Sequence, residues 1–205
     1  MTAGVIIFLN GTSSAGKTTL AYALQDKLAS SYQHVALDQF RDGLPGKFRG
    51  LNAPAGTDGA RGLNVVPSEG RTTKIEFGAT GIILLRGMRR AIAAMADAGN
   101  NIIIDDIILH EDFLQDYLQV FADLQVYFVG VYCPLSVVNE RELRRPGRFP
   151  GTAAGHLETC HAHKIYDVEV DTAVQSVDDC SEKVISRLQQ EPIAFDQLRQ
   201  RKPSR

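Results

Sequence analysis

An apolar run followed at once by Gly11-Thr12-Ser13-Ser14-Ala15-Gly16-Lys17-Thr18 constrains this chain more than any other feature. The octapeptide satisfies every fixed position of G-x-x-x-x-G-K-[ST]. Its flanks suit that pattern: Val5-Ile6-Ile7-Phe8-Leu9 reads as a buried strand, and Leu20-Ala21-Tyr22-Ala23-Leu24 continues as a helix. A strand–loop–helix of this kind gathers backbone N–H groups at the positive end of a helix into one concavity that suits phosphate oxygens. There Lys17 adds charge at the β- and γ-phosphates, the Thr18 hydroxyl ligates Mg²⁺, and the loop through Thr19 holds the nucleotide. The bland alternative is a glycine turn that merely joins strand to helix.

Further apolar runs without alternation predict strands buried on both faces, hence a parallel sheet. They cover residues 4–10, 101–105 and 126–132, with weaker strands at 34–38 and 166–171. Between them, Ile82, Leu85, Ile92 and Met95 recur at helical spacing, and Gly99-Asn100 supplies a stop. Further helices are expected over 111–123, 135–145, 154–163 and 179–190. The alternation implies one three-layer α/β domain over residues 1–205, with right-handed crossovers.

The stretch from Gly43 to Gly81 differs, carrying half of the 18 glycines and three prolines. It reads as a long irregular connection leaving the carboxyl edge of the sheet, where ligands bind. Too few residues precede it for an independent domain, so an acceptor-binding flap over 43–80 is expected rather than a linker.

Several residues suit chemistry on such a frame. Ile102-Ile103-Ile104-Asp105-Asp106 is a hydrophobic strand ending in acids, placed to hold Mg²⁺ beside Thr18. One acid would face the metal and the other would cap or orient acceptor groups, with nothing to assign which. Asp38 ends the second strand and could take a proton from an attacking hydroxyl, or simply start a turn. Arg41 could pair with Asp38 or contact the acceptor. The segment Arg141-Glu142-Leu143-Arg144-Arg145-Pro146-Gly147-Arg148 concentrates guanidinium groups on a helix-to-loop break, as a lid over a transferring phosphoryl group would. Its alternative is a solvated helix face paired with Glu140 and Glu142. Asp171-Thr172 stands where an adenine is commonly seated in such folds, or else caps the helix that follows. His161-Ala162-His163 lacks partners at metal-ligand spacing and is expected to be exposed on a helix.

Taken in order, these segments resemble the chloramphenicol phosphotransferases. The likeness rests on Ile7-Phe8-Leu9-Asn10-Gly11-Thr12-Ser13-Ser14-Ala15-Gly16-Lys17-Thr18, on Leu37-Asp38 and on Ile102 to Asp106. Val129-Gly130-Val131-Tyr132-Cys133 and Tyr166-Asp167-Val168-Glu169-Val170-Asp171-Thr172 complete it. The resemblance implies a nucleoside-kinase-like P-loop fold, a five-stranded parallel sheet of order 2-3-1-4-5, and a lid over 141–155. It further implies ATP- and Mg²⁺-dependent transfer to a small-molecule hydroxyl, chloramphenicol or a similar compound. Asp38 matches the family's base, and Arg141, Arg145 and Arg148 match its lid arginines, whereas Arg144 has no clear counterpart. Asp106 and Arg41 join Asp38 as candidate acceptor contacts.

Charge and cysteine content narrow the alternatives. A net charge of −2 gives no general attraction to nucleic acid or membranes. Cys133, Cys160 and Cys180 form no C-x-x-C pair, and the N-terminus lacks a basic segment and a bilayer-length run. A reduced cytoplasmic protein is expected. Two rivals remain: a kinase for a nucleoside or shikimate-like acid, and a non-catalytic nucleotide switch. The second lacks an N-K-x-D segment and gives Asp38 and the arginines no task.

Overall fold

In the computed structural model, residues 2–68, 72–144 and 151–201 are described. Five parallel strands form the main sheet: β1 (Ile6–Asn10), β2 (Tyr32–Ala36), β6 (Asn101–Asp106), β7 (Val126–Tyr132) and β8 (Val168–Asp171). Their spatial order is β2-β6-β1-β7-β8, which is 2-3-1-4-5 when these strands alone are counted. The expected α/β fold and strand order are therefore present.

Side chains alternate across the sheet with a period of two, and the two faces carry separate cores. Ile6, Phe8, Ile102, Ile104 and Phe128 pack under α4 (Ala79–Asp97), α5 (Glu111–Val120) and α9 (Ala194–Gln200). Ile7, Leu9, Ile103, Val129 and Val131 pack under α1 (Lys17–Lys27), α6 (Leu135–Leu143) and α8 (Val177–Arg187). Each fully buried Ile, Leu or Phe here contributes about 1.5–3 kcal/mol by leaving water. The register sets Leu9 and Ala36 on either side of Asp105, and Asn10 beside Asp106. The phosphate loop and the two acids thus share one sheet edge.

Four local expectations need correction. The second strand stops at Ala36 rather than Asp38, because Gln39 Oε1 accepts the Ala36 amide at 3.0 Å and opens α2 (Leu37–Asp42). Asp38 therefore lies in the first turn of a helix. The described residues of the 43–81 connection are structured, not irregular. They hold a three-stranded sheet of β3 (Arg49–Leu51), β4 (Leu63–Pro67) and β5 (Thr73–Phe77), with α3 (Asp58–Arg61) between the first two. Buried Asn64 stitches it by bonding both backbone groups of Ala53. Gly62 is required there, since a Cβ would meet the Phe48 carbonyl oxygen at 1.9 Å.

The helix expected over 154–163 is broken into α7 (Thr152–His156) and a 3₁₀ turn, Thr159–His161. Consequently His161 and His163 are buried, not exposed. His161 stacks on Tyr132 with ring centres 4.0 Å apart, and its Nδ1 lies 2.6 Å from the Tyr166 hydroxyl. His163 stacks on Phe128 and meets Asn10 Nδ2 at 3.3 Å. Burial pushes both rings down to a pKa of about 4. Among the described residues no helix is long and apolar enough to cross a membrane.

Candidate functional site

β1 delivers the chain into Gly11–Gly16, and α1 begins at Lys17. Ser14 and Gly16 take left-handed backbone angles, φ 61° and 94°, which curl the loop. Gly16 does so without a Cβ penalty. Thr12 is anchored from outside, its Oγ1 donating to the Ala153 carbonyl at 2.7 Å. Ser13 Oγ and Ser14 Oγ are buried with no partner among the described residues. Two unsatisfied hydroxyls inside a cradle of this shape are groups for a ligand to bond.

Lys17 Nζ donates to the Gly11 and Thr12 carbonyls at 3.0 and 3.1 Å and stands 3.5 Å from Asp105 Oδ1. Thr18 Oγ1 donates to Asp105 Oδ2 at 2.5 Å. Burial opposes ionisation of Asp105, but the Lys17 ammonium, His34 and the Thr18 hydroxyl outweigh it and hold its pKa at about 2. His34 Nε2 lies 3.6 Å from the same carboxylate.

Period two separates the neighbouring acid. Asp105 follows Ile103 onto the phosphate-loop face, while Asp106 follows Ile102 and Ile104 onto the opposite one. There Tyr117 donates its hydroxyl to Asp106 Oδ2 at 2.5 Å, and the Ile107 amide bonds Oδ1 at 2.7 Å. Burial raises the Asp106 pKa, with Tyr117 and the amide acting against it. Arg89, buried beneath, lies over the Tyr117 and Phe113 rings and pairs with Asp116 at 2.9 Å.

A cleft of about 1150 Å³ opens over this edge. Asp38 lines it from α2, with Arg41 Nη1 2.8 Å from its Oδ1. Opposite stands the small sheet. Leu51 pairs with Val65 and Val65 with Ile75, so these three form one cross-strand row, and all three line the cleft. Arg49 and Leu63 belong to the next row on that face.

The far end belongs to Arg141 and Thr172. Arg141 donates to Thr172 Oγ1 and the Thr172 carbonyl at 2.9 and 2.8 Å, while Thr172 Oγ1 donates to Ala15 O at 2.7 Å. Arg141 is thereby fixed behind the phosphate loop by the segment after β8. Asp171 accepts the Ala173 amide at 2.9 Å, a turn-capping contact. Arg144 lines the cleft rim and pairs with Glu140. Arg145 and Arg148 lie outside the described residues.

Sequence reasoning missed α7 as a connector. Glu142, nearly sealed from solvent, accepts the Gly151 and Ala153 amides at 2.7 and 3.0 Å. Thr152 Oγ1 meets Thr73 Oγ1 at 2.7 Å, and the Ile75 amide donates to His156 Nε2 at 3.3 Å. One short helix thus touches both the phosphate loop and β5. In the sequence only the short run Thr152-Ala153-Ala154 between Gly151 and Gly155 hinted at it.

A family model described as chloramphenicol phosphotransferase-like protein matches residues 4–189. Two curated Mycobacterium tuberculosis proteins, from strains CDC 1551 and H37Rv, are provisionally named O-phosphotransferases. Each is 34% identical over 213 residues, covering 98% of this chain and 90% of its own. Among solved structures, a Mycobacterium tuberculosis APS kinase with AMPPNP and APS is similar at a TM-score of 0.63 and 19% identity, covering 93% of this chain and all of its own. A Sinorhizobium meliloti gluconokinase gives 0.57 and 16%, covering 98% and 100%. At such identities these structures speak for the fold, that of the P-loop kinases. The match over nearly the whole length places the chain in the chloramphenicol phosphotransferase-like family, and with it among the phosphotransferases.

Proposed function

We propose that the protein transfers the γ-phosphate of ATP, with Mg²⁺, to a hydroxyl of a small molecule, chloramphenicol or a similar compound. One observation carries this reading: Lys17, Thr18 and Asp105 converge at one end of a cleft that Asp38 lines from another element. The unsatisfied Ser13 and Ser14 hydroxyls and the loop amides suit the phosphates. Thr18 and Asp105 would hold Mg²⁺, which is commonly bound by one or two protein oxygens together with substrate phosphates. When bound, the ion neutralises charge on the transferring group.

Lys17 neutralises the same charge from the loop side. Asp38, oriented by its ion pair with Arg41, accepts the proton of the acceptor hydroxyl. Arg141, Asp171 and Thr172 frame the base end, and Arg145 and Arg148, which the family resemblance assigns to a lid, would neutralise the phosphates. We assign Asp106 to bracing, because Tyr117 and the Ile107 amide already hold its two oxygens. Three buried free cysteines suit a reducing, cytoplasmic setting.

ADP release from Mg-ATP, with chloramphenicol and a panel of hydroxylated compounds, followed by mass analysis of the acceptor, tests the reading. Gain of one phosphate, lost in Asp38→Asn while nucleotide binding persists, is the expected result. Unchanged transfer by Asp38→Asn removes Asp38 from the base role.

A further inference from the structure

We infer that His156 selects the acceptor: its Nδ1–H donates to a carbonyl-type oxygen of a hydroxylated compound whose apolar body lies on the Leu51–Val65–Ile75 row. The inference rests on the phosphotransfer reading above and names the acceptor class within it.

His156 closes α7, is 4% exposed, and lines the same cleft as Asp38 and Thr18. The Ile75 amide donates to its Nε2 at 3.3 Å. A ring nitrogen that accepts carries no proton, so in the neutral imidazole the proton sits on Nδ1. Burial, reinforced by the charge of His110 and Lys17, keeps the ring neutral by pushing its pKa down to about 4. Nδ1 is itself buried and has no partner among the described residues. Buried donors in folded proteins are almost always paired, so an orphan on a residue that lines the cleft is a group for a ligand to satisfy.

The sheet to which Ile75 belongs defines what carries that oxygen. Leu51, Leu63, Val65 and Ile75 offer apolar contact to the cleft, and a polar substrate body would be stripped of water there without return. A neutral imidazole N–H discriminates by direction rather than charge, which suits an amide, ketone or ester oxygen. Thr152, on the same helix, meets the Thr73 hydroxyl with its own. Among the buried side-chain atoms described on α7, His156 Nδ1 is left without a partner.

Two measurements test this. The first needs no acceptor: long-range ¹H–¹⁵N correlation spectra of the ¹⁵N-labelled protein should show His156 as the neutral Nδ1–H tautomer, and the Nε2–H tautomer overturns the inference. The second compares N-(2-hydroxyethyl)benzamide with 4-phenyl-1-butanol, two alcohols of equal chain length with and without the carbonyl, within a broad alcohol panel. The carbonyl compound should show a KM roughly tenfold to a hundredfold lower. His156→Gln still accepts the Ile75 amide but places no donor at the Nδ1 position, so it should erase that preference and leave the KM for ATP unchanged. His156→Asn returns an amide donor near that position and should restore part of it. Transfer that ignores the carbonyl, or a preference that survives His156→Gln in folded protein, overturns the role of His156 while phosphotransfer stands. No phosphorylated product from any alcohol overturns the phosphotransfer reading and this inference with it.

Discussion

The two walls of the cleft are built in opposite ways. The phosphate-loop wall comes from one stretch, Gly11 to Thr18, whose backbone angles and helix start create the cradle, with Asp105 added by a neighbouring strand. The facing wall gathers Asp38, Leu51, Val65, Ile75 and His156, which span more than a hundred residues and meet only through β-sheet register and the seat of α7. Continuous geometry fixes the shape of the first wall locally. Assembled geometry makes the second depend on elements distant in the chain.

That contrast predicts mutational effects that divide cleanly between the walls. The largest is expected for Asp38→Asn, a loss of about 10²–10⁴-fold in kcat with the Kd for ADP within about twofold of wild type, read by coupled assay and calorimetry. A matching loss of nucleotide affinity would break the division. Lys17→Ala should do the reverse, lowering kcat/KM for ATP about 10²–10³-fold, as when a positioned charge is removed.

The adjacent acids sharpen the comparison within a single strand. Asp105→Asn should reduce turnover about 10²-fold and raise the Mg²⁺ concentration needed for half-maximal rate. Asp106→Ala should instead cost about 2–4 kcal/mol of stability in urea titration, because the Tyr117 hydroxyl and the Ile107 amide would be buried unpaired. Equal effects of both on Mg²⁺ dependence would place them on one face after all.

Acid should weaken the support behind the loop. His161 and His163 titrate near 4 when folded and near 6.5 when unfolded. Between those values the unfolded chain binds protons that the folded one refuses, so stability is present above pH 6.5 and falls with pH through that window. The loss is on the order of 2 kcal/mol per ring at pH 5. Melting temperatures measured from pH 7 to 4.5 should show it, and the His161→Gln/His163→Gln pair should flatten the slope. The smallest effect is expected for exposed Leu51→Ser, a severalfold rise in acceptor KM with none in the KM for ATP.

Legibility in the sequence followed the same divide. The phosphate loop and strands β1, β6 and β7 could be read directly, because contiguous apolar runs and fixed spacing are local signals. Asp105 and Asp106 were readable as a pair but not as individuals, since only register tells which face each takes. The β3–β5 sheet was hidden: β3 is three residues long with Gly50 at its centre, and the layer is stitched by Asn64 rather than by a hydrophobic period. His161 and His163 were misplaced because both were set on one continuous helix over 154–163, whereas the helix ends at His156 and the turns that follow send both rings inward. α9 left only Phe195 and Leu198 at helical spacing, too brief a pattern to claim a helix.

The alternation at the end of β6 also works as a proofreading device for folding. A slip of one residue against β1 would carry a carboxylate beside Lys17 into the aromatic layer of Phe8 and Tyr117, and would swing the sealed one out toward the cation. The first change buries a charge among rings and the second strips the Tyr117 hydroxyl of its acceptor, so the strand that completes the site also resists settling one place out of line.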